Sequence, residues 1–408
     1  MADEKHIQYF LGANSPSGFY SLYDHLLPPE RASRFYILKG GPGCGKSTLM
    51  RQVARQAEEA GEEVEYILCS GDPDSLDAIL LPRLGVAIVD GTAPHVVEPK
   101  YPGAVEEYIN LGRAYQREGL QEVKGELMSC MTGYKACYQR AYRCLGAAAS
   151  IQEDVRATLT TPALEERLAK RARGILSREL KPRLALPGQV KQRFLSAVTH
   201  KGIMTLYDTA LLQCPKVYEL HDRCGLAHSL LNHLLSGAVA KGYDVVACPD
   251  PMAPQRLAHL LIPQAGLAFL SVAPGQSPAE KPWRRVRIET GVGSDLLRRS
   301  RPRIRFAQKV GRPSWRRQWP PWPRPRPCTT IWRPSTTLMW TSPWWTAPPR
   351  SWPRPFWKNK KEPRRETHLT AGFPVYFFDR SRKARFKSTL PSIPGTVPVW
   401  VYCQMSKL

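Results

Sequence analysis

Apolar residues in the first ninety positions come in short runs separated by turn formers. Phe35-Tyr36-Ile37-Leu38 is a β-prone run that ends in glycines. Over residues 46–60 the spacing changes. Leu49, Val53 and Ala57 recur at the helical interval, and Gly61 follows in the position of a C-capping glycine. Residues 64–69 and 85–90 are two further runs of strand length, the second ending in one acid, Asp90. Strand, helix, strand at this spacing predicts an α/β unit built on a parallel sheet. Residues 103–181 are rich in Glu, Lys, Arg and Ala in helical pattern, with few breakers before Pro182 and Pro187. They predict a helical arm and connector.

The opening pattern then returns. Tyr9-Phe10-Leu11-Gly12-Ala13 matches Arg193-Phe194-Leu195-Ser196-Ala197, Gly18 matches Gly202, and Leu22-Tyr23-Asp24 matches Leu206-Tyr207-Asp208. Tyr36, Leu38, Gly43, Ser47 and Leu49 match Tyr218, Leu220, Gly225, Ser229 and Leu231. Asp72-Pro73 matches Asp250-Pro251, and Leu81-Pro82 resembles Ile262-Pro263. Several short matches in one order predict an internal duplication. The expected fold class is therefore α/β, with duplicated P-loop-type parallel-sheet domains and a helical insertion. Its expected parts are residues 1–102, the first domain core; 103–187, the helical arm; 188–310, a degenerate second domain; and 311–408, a tail.

Length and composition add bounds. A chain of 408 residues with 42% apolar content has room for two domains. No run of about 18 apolar residues is present, which argues against a membrane span. Met1-Ala2-Asp3-Glu4-Lys5-His6 is polar and mixed in charge, unlike a signal peptide, so a cytoplasmic location is expected. Ten cysteines without a CxxC pair fit that location. Cys130, Cys137 and Cys144 recur on one face of a predicted helix and read as small buried side chains rather than metal ligands. The net charge of +24 suggests nucleic-acid binding until it is mapped. Residues 291–408 hold 25 basic and 4 acidic residues, leaving 34 and 31 in the first 290. The basic excess belongs to the tail.

Gly40-Gly41-Pro42-Gly43-Cys44-Gly45-Lys46-Ser47, followed by Thr48, is a P-loop with a predicted strand before it and a helix after it. Glycines let backbone N–H groups turn toward phosphates without a side-chain clash, and the helix start directs its positive end at them. Lys46 supplies a cation and the Ser47 hydroxyl a ligand for Mg²⁺. Asp90, at the end of an apolar strand, is the candidate second metal residue, acting through water. Lys46 and Asp90 are thus the catalytic candidates, and ATP with Mg²⁺ the expected ligands. No Glu follows Asp90. His95, Asp72, Asp74 and Asp77 are candidates to position water or substrate, or else ordinary solvated loop residues. No guanine-reading N-K-x-D motif is evident, which favours ATP.

The second half lacks this chemistry. Asp222 stands for Gly40, Ala227 for Gly45 and His228 for Lys46; a shift of one places Ala227 at the lysine position. The strand-like run before Ser271 ends without an acid. The P-loop segment, with Ala13-Asn14-Ser15-Pro16-Ser17-Gly18-Phe19, Cys69-Ser70-Gly71-Asp72-Pro73-Asp74-Ser75-Leu76-Asp77 and Val89-Asp90-Gly91-Thr92-Ala93-Pro94-His95, resembles a poorly characterised bacterial family of tandem P-loop ATPases. The likeness spans residues 7–310 and implies ATP binding and hydrolysis. In that family both halves tend to keep a P-loop; this chain departs in the second.

Ten of the eleven tryptophans lie between Trp315 and Trp400, and twelve prolines fall in residues 311–357. Proline at that density forbids helix and sheet interior. A nucleic-acid arm and a Pro-rich linker are two readings. The abrupt change in charge and composition favours a third: a shifted reading frame and a disordered, non-native tail. The leading function is a magnesium-dependent ATPase coupled to a protein or small-molecule partner. Alternatives are a P-loop kinase, with the helical region from Arg167 to Arg178 as a closing lid or else an ordinary solvated helix face, and a nucleic-acid-binding protein. Neither membrane nor nucleic acid is a favoured partner.

Overall fold

The computed structural model describes residues 6–311, apart from 116, 184–185, 273–277 and 279–280. These fall within one compact unit, Met1–Trp357. The expectations for the tail lie outside the described residues, as does the whole second unit, Lys358–Leu408.

The first half opens with β1 (Ile7–Phe10) and the hairpin of β2 (Gly12–Ser15) and β3 (Gly18–Ser21), followed by β4 (Arg34–Lys39) and α1 (Lys46–Glu59). Next come β5 (Glu65–Leu68), β6 (Leu76–Leu81), β7 (Val86–Asp90) and β8 (Glu106–Asn110). Helices α2 (Arg117–Glu122), α3 (Lys124–Leu159) and α4 (Pro162–Glu179) form the connector. The second half contains β9 (Val190–Gln192), the hairpin of β10 (Ser196–Thr199) and β11 (Gly202–Thr205), α5 (Tyr207–Gln213), β12 (Lys216–His221) and α6 (Ala227–Ala240). It continues through β13 (Val245–Asp250), β14 (Ala253–Ile262), β15 (Leu267–Val272), β16 (Arg284–Arg287) and α7 (Ser294–Gly311).

Two six-stranded sheets result, ordered β1-β5-β6-β7-β4-β8 and β9-β13-β14-β15-β12-β16. Strand for strand, order and direction agree. The sheets are mixed, which corrects the expected parallel arrangement: β6 runs antiparallel to β5 and β7, and β14 antiparallel to β13 and β15. The reason is chain length. Only four residues, Pro82-Arg83-Leu84-Gly85, join β6 to β7, too few for a parallel crossover. Gly85 permits that turn. Its φ is +63°, and a Cβ there would lie 2.4 Å from the Arg31 carbonyl oxygen. Strand β8 also takes residues the helical pattern had claimed, so the connector helices begin at Arg117.

Equivalent backbone features recur in both halves. Gly43 and Gly225, Gly61 and Gly242, Gly85 and Gly266, and Gly18 and Gly202 all have positive φ. The Ser15 hydroxyl donates to the Gly18 carbonyl, and the Thr199 hydroxyl to that of Gly202. The halves meet at Phe10 and Phe194, whose N–H groups each donate to the other's carbonyl at 2.9 Å. One apolar core joins Leu49, Met50 and Ala54 of α1 through the first sheet to Ala268 and Leu270 of β15. Leu267 and Phe269, on the opposite face of β15, belong to a second core with α4 and α6. Strands buried on both faces read as continuous apolar runs, as these do.

Helix α4 packs on α6 through Leu168, Ala172, Ile175 and Leu176, while Arg167 and Arg171 donate to the carbonyls of Gly291 and Arg287. The apolar stripe of α4 is committed to the second core. Buried residues on α3 begin at Leu145. Cys137 is therefore exposed and Cys144 half-buried, not packed as expected. No described helix is long and apolar enough to cross a membrane.

Candidate functional site

The loop 40–45 lies between the C-terminal end of β4 and the first turn of α1. Gly43 and Gly45 have φ of +78° and +87°, a region that bars most side chains, and Gly45 is the N-cap of α1. Pro42 precedes Gly43, and the Cys44 side chain between the two glycines is buried. Gly40 has no room for a side chain: a Cβ would lie 2.6 Å from Cys44 Sγ. Lys46, Ser47 and Thr48 start the helix, as the motif requires.

Lys46 is buried, and its Nζ donates to the carbonyls of Gly40 at 2.7 Å and Gly41 at 2.9 Å. It also lies 3.4 Å from Asp90 Oδ2. Asp90 ends β7 directly across from Leu38 on β4. Its Oδ1 accepts from the Thr92 N–H and hydroxyl, so one oxygen caps the following turn and the other faces the lysine. The Ser47 hydroxyl accepts from the Leu76 N–H at 2.9 Å. The loop, Lys46 and Asp90 thus lie together, with Ser47 next to Lys46 at the start of α1. This donor set fits a triphosphate with magnesium: backbone N–H groups at a helix start, one cation, one hydroxyl and one buried carboxylate.

The acidic loop divides. Asp72 and Asp74 are loop residues; Asp74 pairs with Lys201 of the β10–β11 hairpin, which holds its carboxyl below the usual range. Asp77 is on β6 and His95 follows β7, both buried, which corrects the solvated-loop reading. Asp77 Oδ2 accepts from the Tyr23 hydroxyl at 2.8 Å, and Oδ1 lies 3.6 Å from His95 Nε2. Burial raises the Asp77 carboxyl, with Asp90 adding to the rise; His95 and Tyr23 oppose it. Tyr115 was not foreseen. Its hydroxyl accepts from the Gly41 N–H, and burial pushes the phenol up. It sits just after β8, in sequence that reads as helical arm. Tyr23 had one signal, its match to Tyr207 in the repeat.

The matching loop in the second half is closed by its own acid. Asp222 Oδ1 accepts from the Cys224 N–H at 3.0 Å and Oδ2 from the Ala227 N–H at 2.6 Å. Glu289 accepts from the Arg223 N–H. Carboxylates thus hold three backbone N–H groups of this loop. Burial keeps the Asp222 carboxyl above its ordinary value, against the pull of those donors. Ser229 donates to Glu165 and His228 Nδ1 accepts from the Leu257 N–H, so both side chains serve internal contacts.

No curated protein and no solved structure matches this chain. A family model does, over part of it: residues 21–84, spanning the P-loop, α1 and β6, match the family described as Nephrocystin 3, N-terminal.

Proposed function

We propose that the chain is a magnesium-dependent ATPase with one nucleotide site in its first half. The observation that carries this reading is the placement of Lys46 among Gly40, Gly41 and Asp90 at the start of α1. In it, loop N–H groups and Lys46 would bind the phosphates, and Ser47 with Asp90 would hold Mg²⁺, which would supply positive charge against the phosphates. The two halves are P-loop-type domains related by duplication, supported by the shared strand order and the shared positive-φ glycines. The second has become a non-catalytic partner, its loop closed by Asp222. In this reading the chain is a tandem P-loop ATPase of the kind its sequence resembles, with one site retired.

The test is ATP turnover by the purified full chain with and without Mg²⁺, together with calorimetric stoichiometry. Turnover that needs the metal and one nucleotide per chain support the reading. Two equivalent nucleotides per chain, or no binding at all, reject it.

A further inference from the structure

We propose that Asp77 and His95 form the water-positioning dyad of this nucleotide site, with His95 Nδ1 as proton acceptor and Asp77 holding the ring. The inference rests on the ATPase reading above and supplies the activating group that the missing Glu after Asp90 leaves unassigned.

Location comes first. Ala78 pairs with Val89 across β6 and β7, so Asp77, the residue before it, stands at the end of the sheet where Asp90 closes β7. The residue before it, Leu76, donates its N–H to Ser47 of the P-loop. Asp77 therefore lies at the end of the sheet that carries the loop, next in sequence to the residue that bonds Ser47. His95 is only five positions beyond Asp90 and returns to the same place.

Burial and orientation come second. Asp77 is 3% exposed and His95 is 7% exposed. His95 Nε2 faces Asp77 Oδ1, so with the carboxylate ionised Nε2 carries the proton and Nδ1 holds a lone pair. That Nδ1 is buried and has no hydrogen-bond partner. A buried, unpartnered ring nitrogen of this kind is a position where a water can bind. The ring is fixed in place: Tyr23 stacks on it with centroids 5.1 Å apart, and Phe19 lies at 5.7 Å. Tyr23 also holds the second oxygen of Asp77.

The second half supplies an internal comparison. His259 pairs with Leu270 as Ala78 does with Val89, so Ala258 occupies the position of Asp77 and Ser271 that of Asp90. The acid is absent where the loop is closed and present where it is open.

In the reaction, the water oxygen bonds to the γ-phosphorus and its proton passes to His95 Nδ1. The bond from that phosphorus to the bridging oxygen breaks, and its electron pair leaves with ADP. The proton then returns to solvent, giving ADP and inorganic phosphate.

The full chain tests this with His95→Phe, which keeps the stacking, and Asp77→Asn, which keeps the shape. Equilibrium ATP binding, kcat, KM and thermal midpoint are read for each. Both variants should bind ATP within about threefold of wild type while kcat falls about 10²–10⁴-fold. The double variant should be no worse than the lower single one, as for groups acting as a unit. Wild-type kcat in either variant overturns the dyad and leaves the ATPase reading standing. Joint loss of binding and turnover in both variants also overturns it, by showing a structural role. Absence of turnover in the wild type, unchanged by Lys46→Ala, rejects the ATPase reading and the dyad with it.

Discussion

Replacing Lys46 by alanine removes the cation that faces the loop carbonyls and Asp90. ATP turnover should vanish in a phosphate-release assay, because the phosphates lose their P-loop charge. Asp90→Asn should instead raise the magnesium concentration needed for half-maximal rate, a metal contact being worth several kcal/mol in such sites. Another residue sets acid stability. His259 is buried, and burial lowers its pKa from 6.5 to about 4. The folded state thus refuses a proton that the unfolded chain accepts between those values. Stability is full above about pH 6.5 and falls as pH drops toward 4. From pH 7 to pH 5 this amounts to about 2 kcal/mol. Urea midpoints at the two pH values should differ less in His259→Phe than in wild type. An unchanged difference would reject the assignment. The P-loop residues are legible at this scale because each acts through its neighbours in sequence. Asp77 was not: its acid and the nearby Pro73 resemble a loop, and only pairing with β5 and β7 makes it a strand residue.

At the scale of elements, the two loops that follow β4 and β12 share a path but differ in who satisfies their N–H groups. Asp222→Ala would leave the Cys224 and Ala227 N–H groups without their acceptor. The expected loss is about 1–3 kcal/mol, measurable by denaturant unfolding. No second nucleotide should bind even so, since the lysine is also gone; calorimetry of the variant checks this. The sequence marks Asp222 as hostile to phosphate. That it folds back to serve as the loop's own anion is a tertiary fact. Helix α4 teaches the same distinction. Its arginines permitted a lid, and only the docking of Leu168, Ala172 and Ile175 on α6 commits it to packing.

For the whole molecule, the halves are joined by polar groups as well as by the shared core. Arg193 is fully buried and donates to Glu65 and to the carbonyls of His25 and Leu26 in the first half. Arg193 and Lys191 together hold the Glu65 carboxyl below its ordinary range, although burial works to raise it. Arg193→Met should cost about 3–5 kcal/mol, the usual penalty for stranding one partner of a buried pair. Chemical denaturation should then lose both halves in one transition, because their core is common. Two separate transitions in wild type would contradict that. The tail yields a separate expectation from sequence alone. Trp is always TGG, Pro CCN and Thr ACN, so reading Cys328-Thr329-Thr330-Ile331-Trp332-Arg333-Pro334 from the third base of each codon can give His-Asp-Asp-Leu-Glu-Ala. A shifted frame thus restores helix formers where the present one has breakers. Sequencing the gene across the codons for residues 300–320 should reveal the shift; an intact frame refutes it.

By itself the sequence carried the P-loop motif, the strand-end acid Asp90, the repeat and the departure from the motif in the second half. These depend on local spacing: glycines that permit positive φ, a helix that starts at Lys46, an apolar run that delivers one acid. Tertiary structure alone decided that β6 runs antiparallel, that His95 meets Asp77, that Tyr115 reaches Gly41 and that Arg193 joins the halves. Each of those joins groups separated by other elements. Their partners are chosen by strand order and burial, which no local pattern encodes.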